Sequence, residues 1–406
     1  MDETIFSELA GWVTEAGLIG RTENELMAGF CRRLVEAGVP LARAIVILDT
    51  LHPIYEGRAF RWRADLPEVV EVVEYGRTNE GEAAENWRRS AFYYLLQSGE
   101  KSMRRRLAAG DPADFPTIAQ ARDEGMTDCL ALIHRFAAEG VIGEMDCVYS
   151  FWATDAPDGF DERAVIALKR LAPFLNLALK SAALARMAGT LVETYLGRDA
   201  GRRVMSGRIM RGVAEKIGAV LWYSDLHGYT HISDSAPPEQ IIPLLNDYAE
   251  IVVSAVHGHG GDVLKLIGDG TLAIFTSEPR EQACVAALAA AARVRKAVDK
   301  LNRSRAEAGL ATTQVYLALH VGDVFYGNVG SKERLDFTVI GPAVNEVSRI
   351  LTMSRSVEQD VLLSPSFAAA LDPNMRRRLV SVGRYALRGV AQPQELFTLE
   401  PGFEIP

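Results

Sequence analysis

Asp225, in LWYSDLHGYT, and Asp269, in VLKLIGDGTLAIF, each close an apolar run, and glycine follows each within three residues. A carboxylate held at the end of a buried strand is costly unless a cation meets it. Two of them, 44 residues apart and both beside turn sequences, point to a shared divalent-metal site. Carboxylate oxygens suit Mg²⁺ or Mn²⁺, with phosphate oxygens filling the remaining positions. The chemistry implied is that of a nucleotide enzyme. Each aspartate also has an ordinary reading, since a strand often runs into a loop and Asp-Gly makes a good turn.

Three further features belong to the same half of the chain. The segment Leu226, His227, Gly228, Tyr229 and Thr230 follows Asp225 and offers backbone N–H groups to phosphate oxygens ahead of a helix. Lys265 stands four residues before Asp269 in an otherwise apolar strand. It reads either as an edge-strand lysine that discourages aggregation or as a donor to a purine. Asn345 and Arg349 are an i, i+4 pair and project from one helix face, where the guanidinium fork suits phosphate.

The elements that must position these residues follow from periodicity. KIGAVLWYSD reads as a strand, and APPEQIIPLLNDYAEIVVSAVHGHGG as a helix ended by Gly258. DVLKLI and TLAIF are short strands joined by GDG, a hairpin turn. QACVAALAAAARVRKAVDKLN is a helix, TQVYLALHVGDVFYGNV a strand and PAVNEVSRILTMS another helix. Alternating strands and helices with a tight hairpin inside predict a mixed or antiparallel α+β sheet.

Upstream, residues 1 to about 38 read as helical, LARAIVILDT and EGRAFRWRAD as paired strands, and CVYSFWATD as a strand before a long helical pattern. Pro173 interrupts that pattern and is expected to start a second helix. Leu175, Leu179, Leu184, Met187, Leu191 and Leu196 approach a heptad, which fits either a short parallel coiled coil or a linker helix packed on its own domain. The expected organisation is an α+β domain over 1–180, a helical linker over 181–212 and a second α+β domain over 213–406.

Bulk properties narrow the class. At 406 residues, 48% hydrophobic and 24% charged, the chain is that of a multidomain globular protein. A net charge of −9 argues against a nucleic-acid partner. No apolar run reaches the roughly 20 residues that span a bilayer, so no membrane insertion is expected. Cys31, Cys129, Cys147 and Cys284 lack CxxC spacing and read as buried thiols in a reducing, cytoplasmic setting.

Taken in order, LWYSDLHGYT, GHGGDVLKLIGDGTLAIF, ALHVGDVFYGNVGS and LDFTVIGPAVNEVSRI resemble the successive motifs of a class III nucleotidyl cyclase catalytic domain. The resemblance implies a ferredoxin-like βαββαβ core and a homodimer with ATP at the interface. It implies that Asp225, Asp269 and the Leu226 carbonyl hold two Mg²⁺ or Mn²⁺ ions. From the partner chain, Asn345 would orient the ribose and Arg349 would offset charge on the α-phosphate. It also implies that Lys265 and Thr338, likewise from the partner chain, read adenine, with threonine where many adenylate cyclases carry aspartate. Arg388, in YALRGVAQP, stands where a phosphate-binding lysine is usual. The product would be cyclic AMP with pyrophosphate. Guanylate specificity, or a nucleotide-binding regulator without turnover, are the alternatives. GGDVL is similar to the motif of diguanylate cyclases, but Val263 replaces its acidic residue.

Residues 20 to 180 resemble a GAF-type sensor, through CVYSFWATD and the closing helical pattern. Trp62, Trp87, Phe92, Tyr93, Tyr94 and Trp152 are candidates to line a pocket for an unknown signal ligand, although aromatics more often fill cores.

Overall fold

Two sheets, each with central strands buried on both faces, form the computed structural model, which describes residues 2–136, 145–390 and 392–400. The chain divides into two units, Met1–Leu191 and Val192–Pro406.

In the first unit, β1 (Arg43–Asp49), β2 (Gly57–Arg63), β3 (Val70–Tyr75), β4 (Ser102–Arg105), β5 (Asp128–Arg135) and β6 (Cys147–Thr154) form one sheet. Its order is β3-β2-β1-β6-β5-β4, with every pairing antiparallel. Period-2 alternation sends Ala44, Val46, Leu48, Val148 and Trp152 to one face and Ile45, Cys147, Tyr149 and Phe151 to the other. Helices α1 (Glu3–Leu18), α2 (Glu23–Glu36) and the long α6 (Glu162–Leu196) cover the first face. Residues from α3 (Gly81–Arg88), α4 (Ala91–Ser98) and α5 (Pro116–Asp123) cover the second. A reciprocal capping box between Thr22 and Glu25 starts α2.

Two expectations need correction here, and the near-heptad resolves to the packed-helix reading of its two. Pro173 lies inside α6 and starts no new helix. Its ring and Lys169, whose carbonyl loses its helical donor, are both exposed, so water can satisfy that carbonyl. Leu168, Leu171, Leu175 and Leu179, fully buried on the opposite face, hold the helix continuous. Leu175, Leu179 and Met187 pack into the unit's own core, so they form no free heptad seam. The six aromatics do not line one pocket. Trp62 and Trp152 are buried on the α1/α2/α6 face, Phe92 and Trp87 pack on the other, and Tyr94 is exposed.

In the second unit the elements are α7 (Arg198–Met205), β7 (Ala214–Leu226), α8 (Tyr229–Ser235), α9 (Pro238–Gly258), β8 (Asp262–Ile267), β9 (Gly270–Phe275), α10 (Arg280–Glu307), β10 (Val315–Gly330), β11 (Leu335–Ile340), α11 (Pro342–Val357), β12 (Val361–Leu363), β13 (Leu379–Tyr385) and β14 (Gln394–Leu399), with two short helices between β12 and β13. The sheet runs β13-β14-β12-β10-β7-β9-β8, and β11 folds back on β10. Read as the successive strands of β7-α9-β8-β9-α10-β10, its middle has the order fourth, first, third, second, which is the ferredoxin-like arrangement. Val220 and Trp222 of β7 pack beneath α9 and α10, while Ala219 and Leu221 face α7 and α11.

His320 of β10 is buried beside Ser366 Oγ, 3.2 Å from Nδ1, and Glu346, 3.9 Å from Nε2. Burial pulls its pKa from 6.5 down to about 4. The unfolded chain therefore takes up a proton below 6.5 that the folded chain refuses, and stability is lost as pH falls from 6.5 toward 4. Denaturant melts should show wild type losing up to about 3 kcal/mol more than His320→Asn over that interval. Burial also raises the Glu346 pKa, which acts in the opposite sense but is common to both proteins. Equal losses in the two proteins would contradict the assignment.

Candidate active site

The hairpin β8–β9 turns through Gly268 and Asp269, with Ile267 and Gly270 as its closing pair. Gly268 sits at φ +62°, a left-handed conformation that glycine adopts without penalty. Gly270 is needed for a different reason. A Cβ there would lie 3.2 Å from the carbonyl oxygens of Ser224 and Ile267. The absent side chain lets the turn lie against the end of β7, and this contact delivers Asp269 to Asp225. The Leu226 N–H donates to Asp269 Oδ2 at 3.3 Å.

The two carboxylates face one another. Burial first, and hydrogen bonding and repulsion from Asp269 second, raise the Asp225 pKa well above the usual carboxylate range. Exposed Arg355 acts weakly the other way. A pair crowded in this way is stabilised by a cation between or beside its members. The pocket around it is lined by Ser224, Asn246 and Thr271 among others. Among the described residues there is no cluster of three or more His, Cys, Asp or Glu able to hold a metal. The protein thus offers two carboxylates plus neutral oxygens, a donor set suited to a hard ion that also binds substrate phosphates.

The segment after Asp225 is anchored at both ends. His227 N–H donates to the Gln314 carbonyl at 2.8 Å, and its ring packs 4.9 Å from that of Tyr316. Gly228, at φ +67°, turns the chain into α8. Tyr229 packs on the core and Thr230 is exposed.

Asn345 and Arg349 share a face of α11 and line a second pocket with Val339, Gly341, Glu346 and Gly389. A Cβ on Gly389 would stand 3.4 Å from the Arg349 guanidinium, so the turn bearing exposed Arg388 lies beside Arg349. Pro342 occupies the first turn of α11, where its missing N–H costs nothing. The two pockets have no lining residue in common. Asp225 is therefore grouped with Asp269, and Asn345 with Arg349, but the structure of one chain does not merge the pairs.

Lys265 lies on β8, the edge strand, and is half-exposed. Its ammonium contacts the Asp336 carboxylate of β11. Thr338 is two residues further along β11, on the same face as Asp336. Sequence reading passed over Asp336. The signal available was its same-face spacing from Thr338, but only the fold shows that β11 comes back to meet β8.

Residues 214–401 match the sequence profile described as the adenylate and guanylate cyclase catalytic domain. This part of the chain is a cyclase catalytic domain of that family. An uncharacterised protein of Mycobacterium tuberculosis is 35% identical over 215 residues, covering 50% of this chain and 37% of its own length. An adenylate cyclase of Anabaena cylindrica is 34% identical over 159 residues, covering 38% of this chain and 31% of its own. The chain matches well under half the length of these curated relatives. The crystal structure of the adenylyl cyclase CyaB from P. aeruginosa is 21% identical, with a TM-score of 0.43 over 48% of this chain and 99% of that one. Among the described residues no helix of the cyclase-bearing chain is long and apolar enough to cross a membrane.

Proposed function

We propose that the chain is a homodimeric adenylate cyclase that converts ATP to 3′,5′-cyclic AMP and pyrophosphate. The separation of the two pockets carries this reading. Asp225 and Asp269 line one and Asn345 and Arg349 line the other, and a complete site would be assembled from two copies placed head to tail. Exposed apolar residues on the relevant strands support a second copy as the cover. Phe325 and Ile340 are a registered β10–β11 pair, 53% and 44% exposed, and Leu266 and Ile267 end β8 at 55% and 44%.

Asp225, Asp269 and the Leu226 carbonyl would hold Mg²⁺ or Mn²⁺, which when bound promotes loss of the ribose 3′-hydroxyl proton and offsets triphosphate charge. Asn345 orients the ribose, and Arg349 donates to the α-phosphate as charge builds on it. The 226–230 segment and Arg388 hold the triphosphate. Lys265 donates to adenine N1, and the Thr338 hydroxyl accepts from the exocyclic amine. The first unit, read as GAF-like, would be a sensor for a small molecule that regulates turnover in a cytoplasmic protein.

Purified protein given ATP and GTP in parallel, each with Mg²⁺ or Mn²⁺, should form cyclic AMP from ATP in preference to cyclic GMP from GTP. A preference for GTP would overturn the adenylate assignment. Binding of nucleotide with no product under any of these conditions, and none from residues 192–406 alone, would favour a regulator without turnover.

A further inference from the structure

We infer that Asp336 is a positioning residue for Lys265 and thereby sets the preference for ATP over GTP. The inference rests on the base-reading role proposed for Lys265 and Thr338. Lysine carries its charge on a flexible four-carbon stem, and an ammonium offers three donors. Free in solvent, that group samples many orientations and costs entropy to fix on a ligand. Here it is fixed in advance by the Asp336 carboxylate. Thr338 is uncharged and cannot perform this task, whereas Asp336 reaches Lys265 from two residues earlier on the same face of β11.

The pair is not sealed. The Lys265 and Asp336 side chains are 39% and 40% exposed, so one contact leaves donors on the ammonium open to a base. With the Thr338 hydroxyl, the ammonium offers a donor next to an acceptor. Adenine presents the matching set, an N1 acceptor beside an N6 amine. Guanine presents an N1–H donor in place of that acceptor, which sets N–H against the held ammonium. A polar site built for one pattern rejects the other because its own groups are left unpaired. Asp336 lies one position from buried Phe337, whose ring packs edge-on 4.9 Å from Tyr326, so the strand presenting it is rigidly backed.

The experiment compares the full chain with Asp336→Asn, Asp336→Glu, Lys265→Ala and the Lys265→Ala/Asp336→Ala double variant, measuring kcat and KM for ATP and for GTP. Equilibrium binding of fluorescent ATP and GTP analogues provides a second readout independent of turnover. Asp336→Asn should raise KM for ATP about fivefold with kcat for ATP nearly unchanged, the scale of an exposed ion pair, and lower the ATP-to-GTP preference by about as much. Asp336→Glu should recover part of both. The double variant should be no worse than Lys265→Ala alone, because the two residues act through one contact. If Lys265→Ala lowers the ATP preference but Asp336→Asn leaves both KM and preference at the wild-type value, the inference is overturned while the base reading stands. If Lys265→Ala leaves the preference unchanged in turnover and in binding, the base reading fails and the inference fails with it.

Discussion

Asp269→Ala should lower metal-dependent turnover by about three orders of magnitude, because a bound divalent ion supplies several kcal/mol of charge stabilisation in such a reaction. The same substitution should leave the folded chain intact. Asp225 owes part of its raised pKa to Asp269, so removing one carboxylate relieves crowding in the metal-free protein. A second readout separates metal binding from chemistry. Mn²⁺ should raise the melting temperature of wild type, since a ligand that binds only the folded state stabilises it, and should not raise that of Asp269→Ala. Equal Mn²⁺ stabilisation in both proteins would place the metal elsewhere. Asp225→Ala should behave alike in both measurements.

The second large effect concerns the other pocket. Arg349→Ala is expected to reduce kcat by about a hundredfold to a thousandfold, the usual loss when one donor to developing charge is removed. KM for ATP should change little, since the contact strengthens as charge develops on the α-phosphate. Arg349→Lys keeps the charge but loses the planar fork and should recover only a part. Metal-induced stabilisation should be unaffected, because Arg349 and Asp269 line different pockets. A variant that lost Mn²⁺ stabilisation with its activity would contradict the division of labour. So would one whose only defect was a raised KM.

Much of this arrangement was legible in the chain, for identifiable reasons. β7 and the β8–β9 hairpin are short apolar runs punctuated by glycine, and their local pattern determines both the element and the place of its aspartate. Asn345 and Arg349 needed only helical spacing to be put on one face. What escaped was set by distant packing. Pro173 reads as a break until the opposite face of α6 is seen to be fully buried. Leu175, Leu179 and Met187 of the near-heptad lie on the core-facing stripe of that same helix, and a periodic pattern does not name the surface it meets. Trp62 and Trp152 stand in one cross-strand row with Ala44 between them, so they share a face that Phe92 does not. Residues 65 to 136 hold short helices and strands such as β4, four residues long, too brief for periodicity to distinguish. Asp336 was missed because the Lys265 contact joins residues 71 apart in sequence.

The composite site is the central claim, and complementation tests it most directly. Asp269→Ala lacks a metal carboxylate and Arg349→Ala lacks the donor, so each homodimer should be nearly inactive. In a heterodimer, one of the two sites would draw both defects and the other would be whole. An equal mixture that exchanges freely should recover about a quarter of wild-type turnover, from half of the dimers being mixed and half of their sites intact. Activity no higher than that of either parent, in a preparation shown to contain the heterodimer, would contradict the shared site.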